Sequence, residues 1–224
     1  MVYIVPIMGH GTVGKDHVVE TFSDGPFAMC TLSDVRYYDT SEHAKELLHK
    51  ISLGQMNNVR LQESEFDKDV RFRTALINII DAFDALDIRL YDTLNAIDDL
   101  IASHSRKRNA HLDNNHYDCK NLIIFLNIRD VAFVERIADN LLPRGCKVHA
   151  MVVIDGDNRE RTYENTRLDS EEYEKSLIQS LYDIQIPYYV FSNDNKESVD
   201  YKDNLYKQQA DFFKALTGEE TIIQ

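Results

Sequence analysis

A short apolar run, Val2 to Ile7, breaks into the turn GHGTVGKD at residues 9–16, and apolar residues then recur at helical spacing. This order constrains the fold more than any other feature of the chain. A β-branched and aromatic run closed by glycines reads as a buried strand, and Lys15 to Phe22 reads as the start of a helix. A strand that feeds directly into a helix belongs to a βα unit. Such units build mostly parallel sheets covered by helices on both faces.

The rest of the 224-residue chain repeats that alternation. PFAMCTL (Pro26 to Leu32) is predicted as a second strand. Ser41 to Leu53 is predicted as a helix capped by Ser41, with Ala44, Leu47, Leu48 and Ile51 on one face. Lys68 to Leu86 carries an apolar stripe of Phe72, Leu76, Ile79, Ile80 and Phe83, and Tyr91 to Ala102 a further helix. The polar, His-rich stretch after it reads as a helix end or a loop. NLIIFLNI is a buried strand, followed by a helix with Asp130 as N-cap and PRG as its stop. CKVHAMVVI and PYYVFS read as strands, SEEYEKSLIQSLYDI and YKDNLYKQQADFFKAL as helices. The expected fold is one three-layer α/β domain over residues 1–224, with a parallel sheet and the first strand at its centre. Residues 155–169 are expected to form a charged loop.

Hydrophobic residues make up 43% of the chain, including 12 Tyr and 10 Phe, enough for a substantial core. The net charge of −13 and the single compact basic cluster, Arg106 to Arg108, argue against nucleic acid as the main partner. No apolar run approaches the roughly 18 residues of a membrane span, and the N-terminal apolar run lacks the basic flank of a signal peptide. Cys30, Cys119 and Cys146 are dispersed and form no C-x-x-C pair, which points to reduced thiols and a cytoplasmic protein. A homodimer is left open.

Gly9, Gly14 and Lys15 match the phosphate-loop pattern G-x-x-x-x-G-K-[ST], with Asp16 in the last place. A glycine-rich turn between strand and helix aims successive N–H groups inward and makes a concave anion site. The helix N-terminus adds positive potential there. Gly9, Gly11, Thr12, Val13, Gly14, Lys15 and Asp16 are therefore the candidate residues for ATP. Asp16 is the candidate ligand for Mg2+, which favours hard oxygen donors. The alternative is a chance match, against which the strand–turn–helix context weighs.

The GKD variant of the loop resembles that of phage-type deoxynucleoside monophosphate kinases and related P-loop kinases of phages and bacteria. LIIFLNIRDVAFVERIADNL is similar to that family's central strand and following helix, VRFRTALINIIDAFD to its Arg-bearing middle helix, and IPYYVFSNDN to its late strand and turn. The likeness spans nearly the whole chain, and the loop is its one specific motif. It implies a P-loop NTPase-type fold and transfer of the γ-phosphoryl group of ATP to a nucleotide small-molecule substrate. It departs from the family pattern at Asn127, where Asp is usual, and at Asn195, where Gly is usual.

Phosphoryl transfer needs cations placed on the phosphoryl oxygens, and the planar fork of Arg suits that task. Arg129, past the central strand, and Arg73 on the middle helix are the candidates the resemblance implies for the acceptor phosphate. Their alternatives are a helix-start salt bridge to Asp130 or Glu135, and a solvated helix face with Arg71 as rival. The resemblance implies that the charged segment around residues 155–169 is a mobile lid that brings its Arg groups, Arg159, Arg161 and Arg167, to the γ-phosphate, with Arg161 the candidate. Thr31, Ser33, Asp34 and Arg36 are weaker acceptor-side candidates, and a Ser-Asp helix cap explains them equally. His104, His111, His116 and Cys119 match no zinc spacing. A nucleotide-binding regulatory or assembly protein with little turnover, and a kinase for another small phosphorylated acceptor such as phosphomevalonate, stand as the alternative functions.

Overall fold

The computed structural model describes residues 1–9, 14–24, 26–55, 70–111, 119–128, 130–154, 171–193 and 200–219. The strands are β1 (Val2–Met8), β2 (Ser33–Asp39), β3 (Asn121–Asn127), β4 (Lys147–Val148), β5 (Ala150–Ile154) and β6 (Tyr188–Ser192). The helices are α1 (Lys15–Asp24), α2 (Pro26–Cys30), α3 (Glu42–Gln55), α4 (Val70–Ala85), α5 (Ile88–His111), α6 (Val131–Leu141), α7 (Glu171–Asp183) and α8 (Tyr201–Thr217). The contacts divide into two compact units, one of residues 1–38 and 97–224 and one of residues 39–96.

The sheet has six strands in the order β2-β3-β1-β5-β6, with β4 alongside β1 ahead of β5. The strand that enters the glycine turn is central, as the sequence implies. β1 runs parallel to β3, with Val2 opposite Leu122 and Ile7 opposite Asn127, and parallel to β5, with Ile7 opposite Met151. Tyr3 to Met8, Leu122 to Leu126 and Ala150 to Val153 are all buried. Continuous burial explains why these strands read as unbroken apolar runs.

Successive side chains of a strand face opposite ways, so each face of the sheet carries its own core. On one face Val5, Ile7, Ile123, Phe125 and Val153 pack with Val18, Val19 and Phe22 of α1, Phe27 of α2 and Phe212, Phe213 and Leu216 of α8. Phe22 is the hub of this layer. Its ring lies 4.7 Å from Phe27, 5.2 Å from Phe125, 5.5 Å from Phe212 and 5.8 Å from Phe191, between centroids. The opposite layer holds α6 and α7, which pack on each other and on β4 and β5. They bury Phe133, Val134, Ile137, Leu141, Leu177 and Leu181. Asp130 caps α6 as expected, its side chain accepting from the Ala132 N–H at 3.0 Å.

One segment departs from the sequence reading, and one stretch that was left open is helical. Pro26 to Leu32 is not the second strand: Pro26–Cys30 is helix, and the strand follows it at Ser33–Asp39. Proline at a first helical position is preset for helix. Phe27 then docks on Phe22, and the Thr31 hydroxyl donates to the Phe27 carbonyl at 2.7 Å to close the turn. α5 also runs past Ala102 to His111. Its polar end needs no apolar stripe, and His104 Nδ1 lies 3.2 Å from Asp34 Oδ2 of β2.

At the far edge of the sheet, Gln208 of α8 pairs with Ser192 as a peptide would. Its Oε1 accepts from the Ser192 N–H at 2.7 Å, and its Nε2 donates to the Ser192 carbonyl at 2.9 Å.

In the second unit, Ser41 stands at the start of α3, and its carbonyl accepts from the Lys45 N–H. Its hydroxyl goes instead to Asp39, at 2.7 Å, beside the Lys45 ammonium at 2.6 Å. Burial pushes the Asp39 carboxyl up, but Lys45 and the two Ser41 hydrogen bonds outweigh it and hold the group below its ordinary value. Here α4 and α5 meet at a corner where Arg89 binds Asp84 at 2.6 Å.

His149 sits between β4 and β5 in the first unit, its N–H donating to the Ile4 carbonyl at 3.0 Å. Its Nε2 is buried without a hydrogen-bond partner, and the ring meets Phe212 edge-on at 6.1 Å. Burial drives the imidazole below its ordinary value, against a hydrogen bond to the Tyr188 backbone.

Two outcomes follow. Phe22→Ala removes the hub of one layer and is expected to cost about 3–5 kcal/mol in denaturant unfolding. Because the folded state depresses the His149 pKa, it binds fewer protons than the unfolded chain once the pH falls below the ordinary value of 6.5. Stability should therefore fall between about pH 7 and pH 5, and His149→Gln should flatten that slope in thermal melts. Asp39 acts lower: its contribution is present above the ordinary value of 3.8 and is lost as pH drops through its depressed folded value.

Candidate functional site

β1 ends at Met8, and the backbone then turns through Gly9, at a φ of 139°, and Gly14, at a φ of 77°. Both angles lie where a Cβ clashes with its own backbone, so glycine is required at both ends of the turn. The Gly14 carbonyl accepts from the Val18 N–H at 3.0 Å, which makes Gly14 the entry to α1. Gly11, Thr12 and Val13 lie outside the described residues.

Lys15 is only 6% exposed, and its ammonium donates to the Gly9 carbonyl at 3.0 Å. This contact draws the two ends of the turn together. A carbonyl satisfies an N–H donor without cancelling its charge, and the same spot carries the positive end of α1. The result is a buried cation at a helix N-terminus, and such a place favours an anion.

Asp16 follows in the first turn of α1, exposed, with its carboxylate at the favourable end of the helix. The Tyr37 hydroxyl of β2 donates to Asp16 Oδ1 at 2.9 Å. The next residue, His17, has its Nε2 3.3 Å from the Tyr201 hydroxyl at the start of α8. The first turn of α1 is therefore tied to both the second strand and the last helix.

The location is set by topology. Ile7 lies opposite Asn127, and the Ile128 N–H donates to the Ile7 carbonyl at 3.2 Å, so β1 and β3 end side by side. The chain leaves β1 toward β2 on one side and leaves β3 toward β4 and β5 on the other. Ligands of open α/β sheets sit at such a reversal, outside the carboxyl ends of the strands. Asn127 is at this crevice and half-buried. On the β6 side, the fully buried Asn193 donates its N–H to the Ile154 carbonyl at 2.9 Å.

The remaining candidates divide. Arg129, Arg159, Arg161, Arg167, Asn195 and His116, and with them the segment 155–169, lie outside the described residues. Arg73 and Arg71 are on α4 in the second unit, Arg73 half-buried and Arg71 exposed. Asp34 stands at the amino end of β2, opposite to the glycine turn, and binds Arg36 at 2.8 Å and His104. Thr31 and Ser33 hydrogen-bond each other at 2.9 Å. Among the described residues, no group of three or more His, Cys, Asp or Glu side chains converges, and no helix is long and apolar enough to cross a membrane.

The donor set suits a phosphate group and a hard cation such as Mg2+: a buried ammonium and a helix N-terminus for phosphate, and a carboxylate oxygen for the cation. Tyr37 and the His17–Tyr201 pair are absent from the sequence reading. Val35 and Tyr37, alternating in DVRYYD, are the signal that was available for the first.

No protein-family profile matches the chain, and no curated protein does. Among solved structures, it is similar to a de novo designed P-loop-fold protein, at 10% identity and a TM-score of 0.39 over 98% of each chain. It is also similar to a tunicamycin resistance protein of Deinococcus radiodurans, at 16% identity and a TM-score of 0.40 over 99% of each chain. These likenesses concern chain layout and say nothing of substrate.

The geometry leads to one outcome for the loop itself. Lys15→Ala removes the buried charge, so inorganic triphosphate should raise the melting temperature of the native chain and leave that of the variant unchanged.

Proposed function

We propose that this protein is an ATP-dependent nucleotide kinase, which moves the γ-phosphoryl group of ATP to a nucleoside monophosphate, most plainly a deoxynucleotide. The observation that carries this reading is the Lys15 ammonium, buried across the glycine turn on the Gly9 carbonyl, with Asp16 next to it at the β1/β3 reversal.

In this reading Lys15 exchanges the Gly9 carbonyl for the donor β- and γ-phosphates, and the loop amides hold the remaining oxygens. Asp16 holds Mg2+ directly or through a metal-bound water. The ion, when bound, neutralises charge on the phosphates. Arg73 and Arg129 hold the acceptor phosphate, and Arg161 reaches the γ-phosphate when the segment 155–169 closes. No general base is required, because a monophosphate oxygen is already a nucleophile at neutral pH. The Asn127 carboxamide oxygen can accept from water or a cation's hydration shell but supplies no charge. That substitution favours the second reading, a nucleotide-binding regulatory protein with little turnover.

The test is ADP release from magnesium-ATP against a panel of nucleoside monophosphates and other small phosphorylated acceptors. One acceptor should accelerate release, and Lys15→Ala should lower that rate by about 10²–10³-fold. If none accelerates release while ATP raises the melting temperature, the regulatory reading replaces the kinase. If ATP leaves the melting temperature unchanged, the nucleotide assignment fails.

A further inference from the structure

Tyr37 belongs to β2, and β3 lies between β2 and the strand that enters the glycine turn. Yet its hydroxyl donates to Asp16 Oδ1 at 2.9 Å. The side chain therefore links the edge strand to the first turn of α1. Its direction follows from the strand: Val35, two residues earlier and on the same face, packs against the layer built on Val18, Val19 and Phe22 of α1. Tyr37 continues that row to the end of β2 where α1 begins.

We propose that Tyr37 is a positioning residue for Asp16, fixing the orientation of the carboxylate that serves Mg2+. The inference rests on the nucleotide reading of the loop and adds to it a residue outside the loop motif. An exposed Asp at a helix start turns freely about two torsions, and a single metal oxygen ligand needs its orientation held. A hydrogen bond to one carboxylate oxygen restricts that rotation and leaves the other oxygen for the cation. Partners that orient metal ligands in this way typically affect metal affinity when they are removed. The usual P-loop hydroxyl sits on a shorter side chain, so replacing it with a carboxylate creates the demand that Tyr37 meets.

A purely structural role, in which Tyr37 only fastens β2 to α1, would give the same contact. The two roles differ in what metal titration reads. Tyr37→Phe keeps the ring and removes the hydroxyl. The native chain, Tyr37→Phe, Asp16→Asn and the double variant are each titrated with Mn2+ in the presence of a non-hydrolysable ATP analogue, free Mn2+ being followed by its paramagnetic resonance signal. Binding of the analogue is measured separately in excess chelator.

Tyr37→Phe should raise the Mn2+ concentration for half-saturation by about 10–100-fold while leaving metal-free analogue binding unchanged. In the double variant the hydroxyl should matter no further, because Asp16→Asn has already removed the group it orients. A Tyr37→Phe chain with native metal dependence overturns the proposal, even if its melting temperature is lowered. So does an effect that adds in full to that of Asp16→Asn. If the native chain binds the analogue equally with and without Mn2+, the metal role of Asp16 fails, and Tyr37 loses its role with it. If the native chain binds no analogue at all, the nucleotide reading itself is what fails.

Discussion

The fixed docking of α1 on the sheet is the constraint on which the rest depends. Gly9 and Gly14, at the two ends of the glycine turn, supply conformational freedom and no side chain. Those ends are held from outside. β1 is locked between β3 and β5, and Phe22 seats α1 in an aromatic cluster drawn from α2, β3, β6 and α8. With strand and helix both immobilised, the Lys15 contact to the Gly9 carbonyl closes the turn over a short distance. Packing on one face of the sheet thus sets the geometry of a polar site at its edge.

That site combines groups from distant parts of the sequence. Asp16 meets Tyr37 of β2, and His17 meets Tyr201 of α8. Val35 of β2 and Tyr201 of α8 both pack against the same aromatic layer, so the first turn of α1 senses how β2 and α8 are seated. A change that loosened either element would reach the loop through one hydrogen bond, without touching a loop residue.

Much of this was legible in the sequence where burial is complete. β1, β3 and β5 are buried on both faces, so their apolar runs announced them, and the Asp130 cap was visible because its partner is its own backbone two residues on. The glycine spacing located the loop for the same reason: the requirement is local. The segment from Pro26 to Asp39 was misread because its strongest apolar run is a helix that docks Phe27, while the true strand is an edge strand of half-buried polar and aromatic residues. Tyr37 was missed with it. The alternation of Val35 and Tyr37 marks the face of the strand, but the partner of the hydroxyl lies 21 positions away, where no local pattern points. The helical extension to His111 was left open because a polar sequence carries no apolar periodicity to follow.

The pairing of Gln208 with Ser192 has a consequence of a different kind. Among the described residues β6 is the last strand of the sheet, and Gln208 holds the Ser192 N–H and carbonyl there. The carboxamide occupies the place of a seventh strand's peptide group, so the sheet ends there in a side chain of its own helix. An incoming strand from another copy must first displace two hydrogen bonds to join at that point. One residue, remote from the loop chemistry, thereby guards against copies of the molecule adding to one another strand by strand.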